Sequence, residues 1–200
     1  MFRQPASTFQ SYRRQFPVVT GILAVQLIVF VVMTASGGTT NPEVLVRFGA
    51  KVNDLIDQGQ WWRLVTPILI HIGLIHLLFN SFALYIFGPT AEWLFGRFRF
   101  FLFYGLAGFG GNVASYWFNP YSVSAGASGA IYGLFGMYVY LYWRAKRLVD
   151  PDVGKGIVAL VVINLLLSFS HGIDLAAHLG GLITGFILTP VFMRHARQRL

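Results

Sequence analysis

The chain has 200 residues, of which 56% are hydrophobic, 16% aromatic and only 11% charged, with 15 Lys and Arg against 7 Asp and Glu. Globular domains average about 25% charged residues, so an ordinary soluble domain is excluded, and with no Cys and a mean hydropathy of +0.62 so are disorder, a disulfide scaffold and a solvated coiled coil. The pI near 10.1 points nominally to nucleic acid, but the basic residues sit in short clusters between apolar runs and form no stripe on a polar surface, so no nucleic-acid partner is expected.

Lipid is the solvent that fits. Crossing a hydrocarbon core of about 30 Å takes about 20 mostly apolar helical residues. The first candidate span, Phe16–Thr34, follows Arg13 and Arg14 and ends in Thr34-Ala35-Ser36. A cleavable signal peptide is the competing reading, although its apolar region is usually shorter. Residues 35–66 then form a long polar connection around Asn53, Asp54, Asp57 and Gln58, closing on Trp61-Trp62-Arg63. A Trp pair beside an Arg has the composition of an interfacial anchor. Two readings of this loop stand open: it tethers the chain to the membrane surface, or it partly embeds and braces the fold. Five further spans follow at Pro67–Gly88, Arg99–Phe118, Gly126–Trp143, Val153–Ser170 and Ile173–Met193.

With the N-terminus inside, the inner segments carry Arg3, Arg13, Arg14, Arg97, Arg99, Arg144, Lys146, Arg147, Lys155, Arg194, Arg197 and Arg199. The outer segments carry only Arg47, Lys51 and Arg63. This bias predicts a multi-pass protein of the cell membrane with both termini cytoplasmic. The expected organisation is one transmembrane domain over residues 1–200, with short tails at about 1–15 and 194–200. The positive charge is then explained by an anionic inner leaflet.

The informative residues are those that cost energy in lipid. His71, His76 and Asn80 fall in the second span, Ser128 at the head of the fourth, and Asp174 and His178 near the head of the sixth. Intramembrane ionisable groups usually face a cavity or mark a functional path, although a lone His can simply bridge two helices. Counted from Pro67, His76 and Asn80 lie about 13 and 20 Å along their helix. For Ser128 to meet them, Asn119–Ala125 must dip below the surface, where irregular backbone is tolerated only if buried in protein or lining water. A small aqueous cavity open to the outer face is therefore expected. Gly129 and Gly133 form one GxxxG, and Gly181 and Gly185, extended by Ala177, form another. Such stripes let helices approach closely, which would bring Ser128 and His178 within reach.

Ser128 is in Gly126-Ala127-Ser128-Gly129 at a helix start, where free backbone N–H groups favour negative charge. A nucleophilic Ser needs a base and donors for the oxyanion. His178 can be the base; the Ser128 N–H, His76 and Asn80 can be the donors, the latter two sharing a helix face. The plain alternative for Ser128 is an N-cap. Asp174 either completes a Ser-His-Asp triad or, more in keeping with its loop-edge position, caps the sixth helix. Tyr132, one turn below Ser128, can pack on the His178 ring. His171 and His195 read as loop and tail residues. There is no HExxH, Cys or Walker pattern, so no metal or cofactor is expected. The rival class is a transporter or channel with these polar groups lining its path.

These motifs resemble those of the rhomboid intramembrane serine proteases, from the first span to the sixth. The resemblance rests on Trp62-Arg63, His71-x4-His76-x3-Asn80, Gly126-Ala127-Ser128-Gly129 with Tyr132, and Ala177-His178-x2-Gly181-x3-Gly185, with Glu92 similar to an acidic residue of the family. It implies an all-α membrane protein, a six-transmembrane-helix bundle with a long, partly membrane-embedded first loop, similar to a minimal bacterial form. It also implies a Ser128–His178 dyad without a catalytic Asp, with His76 and Asn80 in the oxyanion site. The implied partners are single-span transmembrane substrates, cleaved near the outer face after lateral access beside the fifth helix. A catalytically inactive relative is the remaining alternative within the family.

Overall fold

The computed structural model describes residues 8–146, 150–169 and 172–193. Arg3, Arg147, His171, Arg194, His195, Arg197 and Arg199 lie outside the described residues. Among the described residues the chain is helical, with one isolated antiparallel bridge between Lys51 and Ser124. The helices are α1 (Phe9–Gln15), α2 (Pro17–Ala35), α3 (Pro42–Phe48), α4 (Asn53–Asp57), α5 (Gly73–Phe95), α6 (Arg97–Phe118), α7 (Ser128–Arg144), α8 (Pro151–Leu167) and α9 (Leu175–Met193). Of these, α2, α5 and α9 are both long and apolar enough to cross a membrane. Helix α6 has 22 residues, and α7 and α8 have 17 each. The all-α membrane class is therefore plain.

Helix α5 departs from expectation. Residues Thr66–Leu69 form a 3-10 turn with Pro67 at its start, Ile70 is extended, and Gly73 at φ +78° leads the chain into α5. The helix then continues through Pro89 to Phe95. His76 and Asn80 are thus three and seven residues past the start, about 4.5 and 10.5 Å along the axis, about half the expected depth or less. Proline is preorganised for a first turn, but here that turn is not continued.

Helix α2 has no side-chain cap from its own N-cap residue, Phe16. Its free amides are instead met from α5: the Glu92 carboxylate accepts from Val18 N at 3.0 Å and Val19 N at 2.8 Å. Glu92 lies within α5, not after it, and is buried. A carboxylate at a helix N-terminus satisfies orphan donors and complements the helix dipole.

Helix α7 is enclosed on almost all sides, with Ala130, Leu134, Phe135, Met137, Tyr138 and Leu141 buried. Helices α2 and α5 keep Leu27, Ile28, Phe79 and Phe82 exposed, an apolar outer surface suited to lipid. The seam between α7 and α9 is glycine on both faces. A Cβ built on Gly181 would land on the Gly129 carbonyl, and one on Gly185 on the Gly133 carbonyl. Helix α6 joins the seam through Gly111, where a Cβ would lie 2.7 Å from the Ala177 carbonyl oxygen.

The first loop is folded. Val44, Leu45 and Ala50 pack with Met33 of α2 and with Ile70. Arg63 is buried, its guanidinium donating to the Val46 and Ala50 carbonyls at 2.8 and 2.9 Å and to Gln60 Oε1 at 2.7 Å. The loop thus packs on the bundle, which is the bracing part of the second reading. Trp61 and Trp62 stay 70% and 55% exposed, whereas Arg63 turns inward and ties the loop together.

Gly185→Val should force α7 and α9 apart. Overpacking costs about 1–3 kcal/mol, and more where backbone is what must move. The expected outcome is a lower thermal midpoint in detergent; a midpoint equal to the parent's would contradict the backbone contact.

Candidate active site

The approach to α7 is held from three sides. Ser124 and Lys51 exchange backbone hydrogen bonds at 2.9 and 3.1 Å, and Gly126 N donates to the Pro67 carbonyl at 2.9 Å. Gly126 has φ +141°, and a Cβ there would strike the His76 ring. Glycine is therefore required twice over, by conformation and by space. The contact also places the His76 imidazole against the backbone two residues before Ser128.

Ser128 is the first residue of α7, and Ala127 takes the N-cap position with no side-chain hydrogen bond. The N-cap alternative for Ser128 is therefore not the arrangement present. Its Oγ lies 2.9 Å from His178 Nε2. Tyr132 stacks on the His178 ring, centroids 4.1 Å apart and planes 13° off parallel. The other ring nitrogen, Nδ1, lies 2.7 Å from Ser168 Oγ at the C-terminus of α8.

Asp174 does not face that nitrogen. Its Oδ1 accepts from Ala177 N at 3.1 Å, a cap for α9, and its Oδ2 accepts from the hydroxyls of Ser115 and Ser124. Lys51, fully buried in the first loop, donates to the Asn119 carbonyl at 2.7 Å. Burial pulls the Lys51 ammonium below the usual lysine range, while the nearby Asp174 charge pushes the other way. The cluster joins the first loop, the strap before α7 and the start of α9.

His71 lies edge-on to His76 at 5.4 Å, with its Nε2 facing the Ala127 N–H at 3.5 Å. Asn80 is buried and donates to the His76 carbonyl at 2.9 Å, within its own helix. The structure thus brings Ser128, His178, Tyr132 and Gly126 with His76 to one end of the bundle, and Gly129, Gly181 and Gly185 below them. Ser168, Lys51 and Ser115 belong to the same neighbourhood, and no spacing motif marks them. Among the described residues no His, Asp and Glu set could hold a metal ion.

Chemically, an unprotonated imidazole nitrogen 2.9 Å from a hydroxyl can take its proton. The first amides of α7 have no intrahelical acceptor and are suited to an adjacent anion.

A family model described as "Rhomboid domain" matches residues 58–195 of the chain. The chain is 44% identical over 182 residues to rhomboid protease GluP of Bacillus subtilis, an alignment covering 90% of this chain and 35% of that protein. It therefore spans about a third of the length of GluP. YdcA of Bacillus subtilis, whose name assigns it provisionally to the rhomboid proteases, is 38% identical over 194 residues, 96% of either chain. Rhomboid-like protease 1 of Toxoplasma gondii is 31% identical over 198 residues, 92% of this chain and 67% of that one.

Asp174→Asn should act on stability. Losing the charge beside buried Lys51 costs about 1–3 kcal/mol, read as a lower thermal midpoint, while fluorophosphonate labelling of Ser128 stays within about tenfold of the parent. A thousandfold loss of labelling at unchanged stability would instead mark Asp174 as part of a triad.

Proposed function

The chain belongs to the rhomboid family, and on that premise we propose that it is an intramembrane serine endopeptidase whose nucleophile is Ser128 and whose general base is His178. The observation that carries this reading is the 2.9 Å contact between a hydroxyl and an imidazole at a helix N-terminus. In the proposed topology α2, α5, α6, α7, α8 and α9 cross the cell membrane as one domain, with both termini cytoplasmic and the site near the outer face. The substrates are single-span transmembrane proteins, and no metal or cofactor takes part.

The steps follow from the roles. Ser128 Oγ attacks the scissile carbonyl carbon while His178 Nε2 takes the hydroxyl proton; a C–O bond forms and the carbonyl electron pair moves onto oxygen. That oxyanion is held by the Ser128 N–H, by His76 and by Asn80, whose amide has a second N–H beyond the one given to the His76 carbonyl. The imidazolium then returns its proton to the leaving nitrogen as the C–N bond breaks. Water, deprotonated by the same His178, attacks the acyl-enzyme carbonyl; as the C–Oγ bond breaks the imidazolium returns that proton to Ser128 Oγ, releasing the new carboxyl group and restoring the Ser128 hydroxyl. The Tyr132 ring keeps the imidazole in one plane through both proton transfers. A substrate helix must unwind locally at the cut, because a carbonyl inside an intact helical hydrogen bond is out of reach of Oγ.

Cleavage of a single-span substrate in liposomes tests the proposal. Ser128→Ala and His178→Ala should each lower kcat at least about 10³-fold, and His76→Ala about 10²–10³-fold. Undiminished cleavage by Ser128→Ala would overturn it.

A further inference from the structure

We propose that Ser168 is a positioning residue that fixes the tautomer of His178, in the place where a triad would hold a carboxylate; this rests on the reading of His178 as general base. The argument is an accounting of protons. Ser168 is 3% exposed, and its Oγ has three polar neighbours: the Asn164 carbonyl oxygen at 2.7 Å, His178 Nδ1 at 2.7 Å and Tyr132 Oη at 3.3 Å.

A hydroxyl has one proton and two lone pairs. The Asn164 carbonyl can only accept, so its 2.7 Å approach is a hydrogen bond only if Ser168 donates. Were the proton turned to His178 instead, two oxygen lone pairs would face each other at that distance with nothing between them. With the proton committed to Asn164, Ser168 Oγ is an acceptor towards both His178 and Tyr132. His178 must then carry its proton on Nδ1, which leaves Nε2 bare and aimed at the Ser128 hydroxyl, 2.9 Å away. Every lone pair and proton of Ser168 is used in this one arrangement. The opposite tautomer would place an N–H against Ser128 and remove the acceptor that a base requires. A neutral hydroxyl fixes the tautomer without burying a second charge, and the Asp174 carboxylate, engaged at Ala177, Ser115 and Ser124, is left to the fold.

Histidine-selective 15N NMR of the full chain in lipid, joined to kinetics, tests this. In the parent, His178 should show a protonated Nδ1. Ser168→Ala should shift it towards protonated Nε2 and lower kcat about tenfold at unchanged KM, the size expected for one neutral hydrogen bond. Ser168→Thr, which keeps the hydroxyl, should return both. If Ser168→Ala leaves the tautomer as in the parent, the proposal is overturned, whatever happens to the thermal midpoint. Recorded in a Ser128→Ala background, the tautomer is read independently of cleavage, so failure of the protease reading and failure of the Ser168 role give different results.

Discussion

Helices with ordinary side chains between them pack with axes about 8–10 Å apart. Between α7 and α9 the facing residues are Gly129 and Gly133 on one side and Gly181 and Gly185 on the other, so backbone meets backbone. In lipid there is little hydrophobic force to press two helices together, and close van der Waals contact must replace it. The seam has a geometric consequence as well as an energetic one. Gly129 meets Gly181 and Gly133 meets Gly185 in constant register, which fixes the two helices against sliding and rotation alike. Ser128 stands one residue above the first rung and His178 one turn above its own. With the register fixed, the Ser128 hydroxyl and the His178 imidazole meet at 2.9 Å.

Three charged side chains brace the helices and loops around the seam, one at the far end of α5 and two near the Ser128 end. A polar group buried without a partner is costly, and more so where lipid replaces water. Glu92 closes the start of α2 from α5, Arg63 holds three acceptors within the first loop, and Asp174 caps α9 while receiving hydroxyls from α6 and from the strap before α7. Glu92 and Asp174 bond across segments far apart in the sequence, and Arg63 closes its own loop. They do the work that the apolar effect does in a soluble core, and they do it without touching the Ser128–His178 pair. This division leaves the pair's own surroundings free to be arranged for chemistry.

Legibility in the sequence followed the range of the interaction. The glycine stripes, the four-residue step from His76 to Asn80 and the turn from Ser128 to Tyr132 are local patterns, and each carries a geometric meaning that can be read without coordinates. The start of α5 was misplaced because Pro67 opens a turn that Ile70 and Gly73 then break, and a proline alone does not tell a turn from a helix. Arg63 read as an anchor because its neighbours are tryptophans; its burial depends on carbonyls at Val46 and Ala50 that the chain presents only once the loop is folded. Ser168 carried no signal at all. A serine near the end of an apolar helix is common, and its contact with His178 exists only because α8 ends where α9 begins.

The vertical distribution of polar groups bears on the choice between the proposed hydrolytic site and a conduction path. An ion crossing a bilayer needs polar partners at successive depths. Here Ser128 is the first residue of α7, His178 and His76 are each the fourth of their helices and Asn80 is the eighth of α5, so the group lies within about the first two turns of its helices. Below it α7 presents Leu134, Met137 and Leu141, all buried, and the Thr189 hydroxyl on α9 is spent on the Gly185 carbonyl. A close-packed apolar column of this kind has no place for water or an ion. Peptide hydrolysis asks for less: one nucleophile, one base, donors for one oxyanion and access from one side. The proposed hydrolytic site asks for polar groups at one end only, and such a distribution leaves the remaining thickness of the bundle free to pack tightly enough to hold the pair.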